Sequence, residues 1–256
     1  MAHIPEGVAP APAADGDRAG NPTLRDDFKT VAYWLSLGAA AGGLGGLVAG
    51  GIGGRLAMFV LRLTSEASVR GIESDDGFII GRFDFISTLN LLFVTAFLGS
   101  FFGLFVVLGR PFLPSRWMPA AWAAAGATVG GAVLIHGDGV DFTLIKPHWL
   151  AVALFIVIPA AGGASIASLI ERLHPIWWKR RKATAAVSFG AVPAIVFFPV
   201  AIVGVVGGGV WLLASRIEGL RGTPRWRPAR MLALAVFAAV VVLGSIALIR
   251  DAQEVL

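Results

Sequence analysis

The sequence predicts an all-α fold, a polytopic helical membrane bundle, and three observations predict it. Of 256 residues, 56% are hydrophobic and only 14% charged, where soluble domains carry about 25% charged residues. Mean hydropathy is +0.77. The apolar residues gather into runs of about 20, the helix length that crosses roughly 30 Å of hydrocarbon. Backbone groups in lipid must be satisfied internally, which leaves helices or a closed barrel. Barrel strands alternate lipid-facing and lumen-facing residues, and these runs are uninterrupted, so helices remain.

Residues 1–28 are rich in Pro, Ala, Gly and Asp and read as a disordered cytoplasmic tail. They lack the basic start and short apolar core of a signal peptide, so the first span is expected to stay. Residues 29–256 then form a single transmembrane helical domain. Its first span starts near Thr30 and carries glycines at 42, 43, 45, 46, 50, 51, 53 and 54. Pairs such as Gly42/Gly46 and Gly46/Gly50 let helix backbones approach closely in lipid. Packing within the chain is the simpler use of that stripe, and a homodimer face is the alternative. The apolar pattern runs past Arg55 to Thr64, so this helix should tilt or project.

An acidic loop at 65–85 leads to a second span at about 86–109. The link "GRPFLPSRWMP" precedes a third span, about 118–135, and the turn "IHGDGVDFTLIKP" precedes a fourth, about 147–170. Pro147 suits a helix start. "ERLHPIWWKRRK" follows, with four successive cations at 179–182, and the last span is about 231–249.

Residues 186–215 are apolar and contain Pro193 and Pro199. Cations favour the cytoplasmic side. With the N-terminus inside, a single crossing here would divide the 21 Lys and Arg almost evenly between the two faces. A return to the same face puts most of them inside. The expectation is therefore five transmembrane helices plus a re-entrant or short hairpin segment, with six ordinary helices as the alternative. The Ala, Gly and Val content and the bias of Arg over Lys point to a GC-rich bacterial genome, and the expected location is the bacterial cytoplasmic membrane.

The two loops on the opposite face resemble each other. "SDDGFIIGRFDF" and "HGDGVDF" each join an Asp-Gly turn to an Asp-Phe pair, so spans 1–2 and 3–4 could be related hairpins; Asp-Gly is also ordinary turn chemistry.

The same loops hold the candidate ligand residues Glu73, Asp75, Asp76, His136, Asp138 and Asp141, with Asp84 nearby. Carboxylates with one histidine could ligate a cation or act as a general base. Their spacing matches no EF-hand, zincin or di-metal pattern. The plainer role is turn formation and pairing with Arg55, Arg62, Arg70 or Arg82. Arg55 and Arg62, seven apart on one helix face, need such partners because a cation beside lipid is costly; they could also hold an anion or headgroup.

Spans 2–4 have no ionisable residue in their central parts, which argues against a proton relay. Asn90 is expected to make an interhelical hydrogen bond. Lys179, Arg180, Arg181 and Lys182, with Arg221, Arg225, Arg227 and Arg230, form a basic face suited to topology control and anionic headgroups, not to nucleic acid. The chain has no cysteine, which removes disulfides and thiolate chemistry. No nucleotide, nucleophile or zincin motif appears, and no cofactor is expected.

These features predict a non-enzymatic packing or accessory component of a membrane assembly. A small-solute or lipid transporter or channel would need a polar cavity at membrane depth. An outward-facing enzyme or cation-binding protein would need the loop acids and His136 to converge.

Overall fold

A computed structural model describes residues 24–65, 71, 84–135, 142, 146–179 and 226–256. Every regular element among them is helical. The first rod comprises α1 (Leu24–Gly46), a π-helical turn (Leu47–Ile52) and α2 (Gly53–Thr64). Helix α3 is Phe85–Gly109. The second rod comprises α4 (Met118–Ala125), a second π-helical turn (Gly126–Gly130) and α5 (Gly131–Leu134). Helices α6 (His148–Lys179) and α7 (Trp226–Val255) complete the set.

Four of these helical stretches are long and apolar enough to cross a membrane: Tyr33–Thr64, Phe85–Gly109, His148–Ile176 and Arg230–Val255. The region expected as a third span forms the second rod, whose pieces have 8, 5 and 4 residues and which is not among these four. At 1.5 Å per residue it is about 25 Å long, shorter than a bare hydrocarbon core. The segment 186–215 lies outside the described residues.

Helix boundaries follow local chemistry. Asp84 caps α3: its carboxylate accepts from the Ser87 amide at 2.8 Å and the Ser87 hydroxyl at 2.6 Å, satisfying donors the helix leaves open. Arg110 still has helical backbone angles and its N–H bonds the Val106 carbonyl, while Pro111, with no N–H, cannot extend that ladder. Pro119 sits in the first turn of α4, where a missing N–H costs nothing.

The tightest seam joins α1 to α3, antiparallel. Gly38, Gly42 and Gly46 lie against Gly103, Gly99 and the Thr95 carbonyl. A Cβ on Gly42 would strike the Gly99 carbonyl and lie 2.9 Å from Ser100 Cα, and one on Gly103 would strike the Gly38 carbonyl. The glycine stripe is thus used inside the chain. Helix α6 packs on the other side of α1, with Gly45 against Ile166 and Tyr33 against His174. The second rod lies on α6, with Gly126 on the Pro159 carbonyl and Gly163 on the Trp122 carbonyl.

Helix α7 runs alongside the second rod: Phe237 meets Trp122 at 5.3 Å, Gly244 meets Thr128, and Leu248 meets Gly131. These pairings give the bundle two ends. Tyr33, Arg110, Trp117, His174 and Arg230 mark a basic end. Thr64, Asp84, Ile135, His148 and Val255 mark a loop end. Helix α6 finishes and α7 begins at the basic end.

Gly99→Ala and Gly103→Ala should each cost about 1–3 kcal/mol of stability by overpacking, read as unfolding in mixed micelles. Gly54→Ala should be neutral or slightly stabilising, because its Cβ would meet only Leu91 at 3.9 Å.

Candidate functional site

Polar groups at membrane depth are turned inward on their own helices. The hydroxyls of Thr95, Ser100, Thr128, Ser165, Ser168 and Ser245 donate to carbonyls three or four residues earlier, at 2.7–2.9 Å. Such bonds satisfy the hydroxyl locally. Asn90 is exposed, and the expected interhelical hydrogen bond is not made among the described residues. Its position on the outer face of α3 explains this, since that helix turns its glycines toward α1.

The described ionisable groups collect at the two ends. At the basic end, Tyr33 and Trp34 of α1, Arg110 at the end of α3, and Glu171 and His174 of α6 form one cluster. The Tyr33 hydroxyl lies 3.0 Å from His174 Nδ1 and donates to the His174 carbonyl at 3.1 Å. Arg110 Nε donates to Glu171 Oε1 at 2.8 Å, with side chains 26% and 22% exposed. Trp34 lies between two partners: the Arg110 guanidinium is 4.9 Å from its ring, and the His174 ring stacks on it at 4.5 Å.

The reason for this convergence is geometric. Glu171 and His174 are three residues apart and share a face of α6. Tyr33 precedes the glycine seam by one turn, so the close approach of α1 carries it to them. Chemically the cluster neutralises a carboxylate and a guanidinium at the edge of an apolar core, where an unpaired charge is costly. It ties three helices together at one level. The signal was present in sequence: Tyr33 is the one tyrosine, and "ERLHP" places an acid and a histidine one turn apart. The four cations that follow at 179–182 make the acid and the histidine look like part of a basic link.

The loop end is held differently. His148 Nδ1 lies 3.1 Å from the Val255 carbonyl, and Ser65 Oγ donates to the Lys146 carbonyl at 3.4 Å. Phe142, 4% exposed, packs with Leu61, Ile135, Ala151, Val152 and Val255. Arg55 and Arg62 both lie on α2 toward this end. Arg55 is half-buried with its Nε and Nη2 enclosed, while Arg62 is exposed. Glu73, Asp75, Asp76, His136, Asp138 and Asp141 lie outside the described residues. The flanking Ser65, Asp84, Ile135 and Lys146 are all at the loop end. Among the described residues no three His, Asp or Glu side chains gather as metal ligands would.

Between the second rod and α7 runs an open groove of about 680 Å³ lined by Val129, Val133, Val240 and Leu243, with Arg250 and Asp251 at its loop end. Arg227 and Arg230 begin α7 at the basic end, Arg227 exposed and Arg230 Nε donating to the Phe112 carbonyl at 3.1 Å. Lys179 ends α6. Arg180, Arg181, Lys182, Arg221 and Arg225 lie outside the described residues.

Comparison with protein-family models, with curated proteins and with solved structures returns no match. The functional reading therefore rests on the chain itself.

Tyr33→Phe should cost about 1 kcal/mol through loss of the bridge to His174. A double-mutant cycle between Arg110 and Glu171 should give a coupling of about 1 kcal/mol, while the exposed Arg172→Ala should stay within about 0.5 kcal/mol of wild type. Unfolding in mixed micelles reads all three.

Proposed function

We propose that the protein is a non-enzymatic membrane component that packs within a larger membrane assembly. The observation that carries this reading is the closed seam between α1 and α3, where glycine backbones touch at mid-helix and leave no room for a polar path. The hydroxyls nearest that level are already bonded to their own helices. A transporter between these helices would need a hydrated surface at this depth. Supporting the assembly reading, α7 has only 6% of its most apolar window buried, against 22–28% for the other three spanning helices. Its exposed Val236, Val240, Leu243 and Ile246 offer a long apolar face for a partner helix.

The proposed topology has the basic end in the cytoplasm, in the inner membrane of a bacterium, with the N-terminus inside. Support comes from the arginines at that end and the preference of cations for the cytoplasmic face. They would also meet anionic headgroups. Helix α6 finishes and α7 starts at the same end, which is what a connection that returns to its own face would give. That favours five spans with a returning segment at 186–215 over six single crossings.

A photoreactive residue in place of Val240 should give a discrete protein adduct in native membranes. Lipid-only adducts, together with solute flux in proteoliposomes, would instead favour transport. For topology, Gly222→Cys and Arg116→Cys should share one labelling side, and Arg250→Cys should label from the other.

A further inference from the structure

We infer that the two glycine-seamed hairpins are copies of one unit, and that its π-helical turn is a hinge present twice, about which the loop-end arms move while the basic end stays pinned. This goes beyond the assembly reading and does not depend on it.

The correspondence lies in contacts, not in similar residues. A shift of 80 positions carries Gly46, Gly50 and Gly51 of the first rod onto Gly126, Gly130 and Gly131 of the second. A shift of 64 carries Leu92, Thr95 and Gly99 of α3 onto Ile156, Pro159 and Gly163 of α6. The contacts follow both shifts together. Gly46 abuts the Thr95 carbonyl, and Gly126 abuts the Pro159 carbonyl. A Cβ on Gly50 would lie 3.0 Å from Thr95 Cβ, and one on Gly130 would lie 2.6 Å from Pro159 Cβ. Gly51 faces Leu92, and a Cβ on Gly131 would lie 3.5 Å from Ile156, with Leu248 of α7 nearer at 3.0 Å. Gly99 packs on Gly42, and Gly163 on Trp122, again 80 positions apart.

The same 64-residue shift carries Asp84, which caps α3, onto His148, where α6 begins. It also carries Arg110 onto His174, the two groups that flank Trp34. The Asp-Phe pairs of the two loops do not match in this register, so the loop similarity was the wrong signal for a real correspondence.

Both first rods break helical register at the same place. The π-helical turns Leu47–Ile52 and Gly126–Gly130 overlap under the 80-residue shift. Such a turn holds one residue more than an α-turn and weakens the hydrogen-bond ladder, and glycines lower the cost of rearranging it. Contact changes across the turn in the first unit. Before it, Gly42 and Gly46 touch backbone of α3. After it, a Cβ on Gly53 would approach only Val48 of its own rod, at 3.7 Å, and one on Gly54 only Leu91 at 3.9 Å. Leu56, Phe59 and Leu63 of this arm are exposed. The basic end is fixed by the Arg110–Glu171 pair and the Tyr33–His174 bridge. At the loop end Leu61 of one arm and Ile135 of the other share one cluster, which couples their motion.

The cysteine-free chain allows paired spin labels in lipid bilayers. Labels replacing Leu63 and Leu89 report the first arm, and labels replacing Val133 and Val157 the second. Labels replacing Leu44 and Phe105 report the pinned half; all six positions are exposed. Both arm pairs should give distance distributions at least twice as broad as the pinned pair. Deleting Ala49, which removes the extra residue of the first turn, should narrow the Leu63–Leu89 distribution toward that of the pinned pair. Arm distributions as narrow as the pinned one would overturn the hinge. Breadth in one arm alone would overturn its duplication, and breadth unchanged by the deletion would overturn the role of the turn. If the deletion variant does not fold, the wild-type comparison of the three pairs decides.

Discussion

Backbone contact between glycines of α1 and α3 is the constraint on which the rest of the structure depends. Lipid tails are as apolar as leucine, so helices gain nothing from hiding apolar surface from one another. Close van der Waals approach has to replace the hydrophobic effect. Gly38, Gly42 and Gly46 recur every fourth residue and so form one ridge of α1, and Gly99 and Gly103 form the facing ridge of α3. Their interlock fixes the level of every residue on α1. It sets Tyr33 and Trp34 beside α6, and it places the first π-helical turn where the two helices part.

Polar chemistry is arranged around that seam. Side-chain hydroxyls at depth bond back to their own helices, which leaves the middle of the bundle with little to offer a solute. Among the described residues the charged groups gather toward the two ends, where Arg110 pairs with Glu171 and Arg250 with Asp251. The Arg110–Glu171 pair closes the basic end of three helices without placing a bare charge in the core. A bundle built this way is pinned at its basic end by a polar cluster and joined at its loop end by the apolar cluster of Leu61, Ile135, Phe142 and Val255. Among the described spanning helices α7 is the least covered, and its described packing is chiefly against the second rod. Packing with a partner and motion of the loop-end arms are the two capacities left over.

Much of this was legible in sequence, for physical reasons. Run lengths and the absence of alternation gave helices, because lipid forbids unsatisfied backbone. The glycine stripe of the first rod announced a close contact. Its partner was not visible: Gly99 and Gly103 sit in an otherwise ordinary span, and spacing on one helix cannot say which neighbour it meets. Glu171 and His174 were hidden by the cations that follow them, since a basic link and a buried pair look alike until the helix continues to Lys179. Asn90 showed the converse, a polar residue in an apolar span that faces outward. The loop acids remain an expectation of the sequence. The correspondence between the hairpins lies in backbone contacts, which residue identity hardly records, and not in their loop motifs.

Disulfide formation between α1 and α3 tests the central seam most directly. A Cβ on Gly43 would lie 2.8 Å from the Ser100 hydroxyl oxygen, close to the separation of a Cβ from the far sulfur of a disulfide, about 3 Å from its bond lengths. With no native cysteine to compete, the Gly43→Cys, Ser100→Cys variant should cross-link rapidly in membranes under mild oxidant. Gly43→Cys paired with Phe93→Cys, two turns out of register, should not. Equal cross-linking of both pairs, or none in the first, would contradict the glycine seam and the architecture built on it.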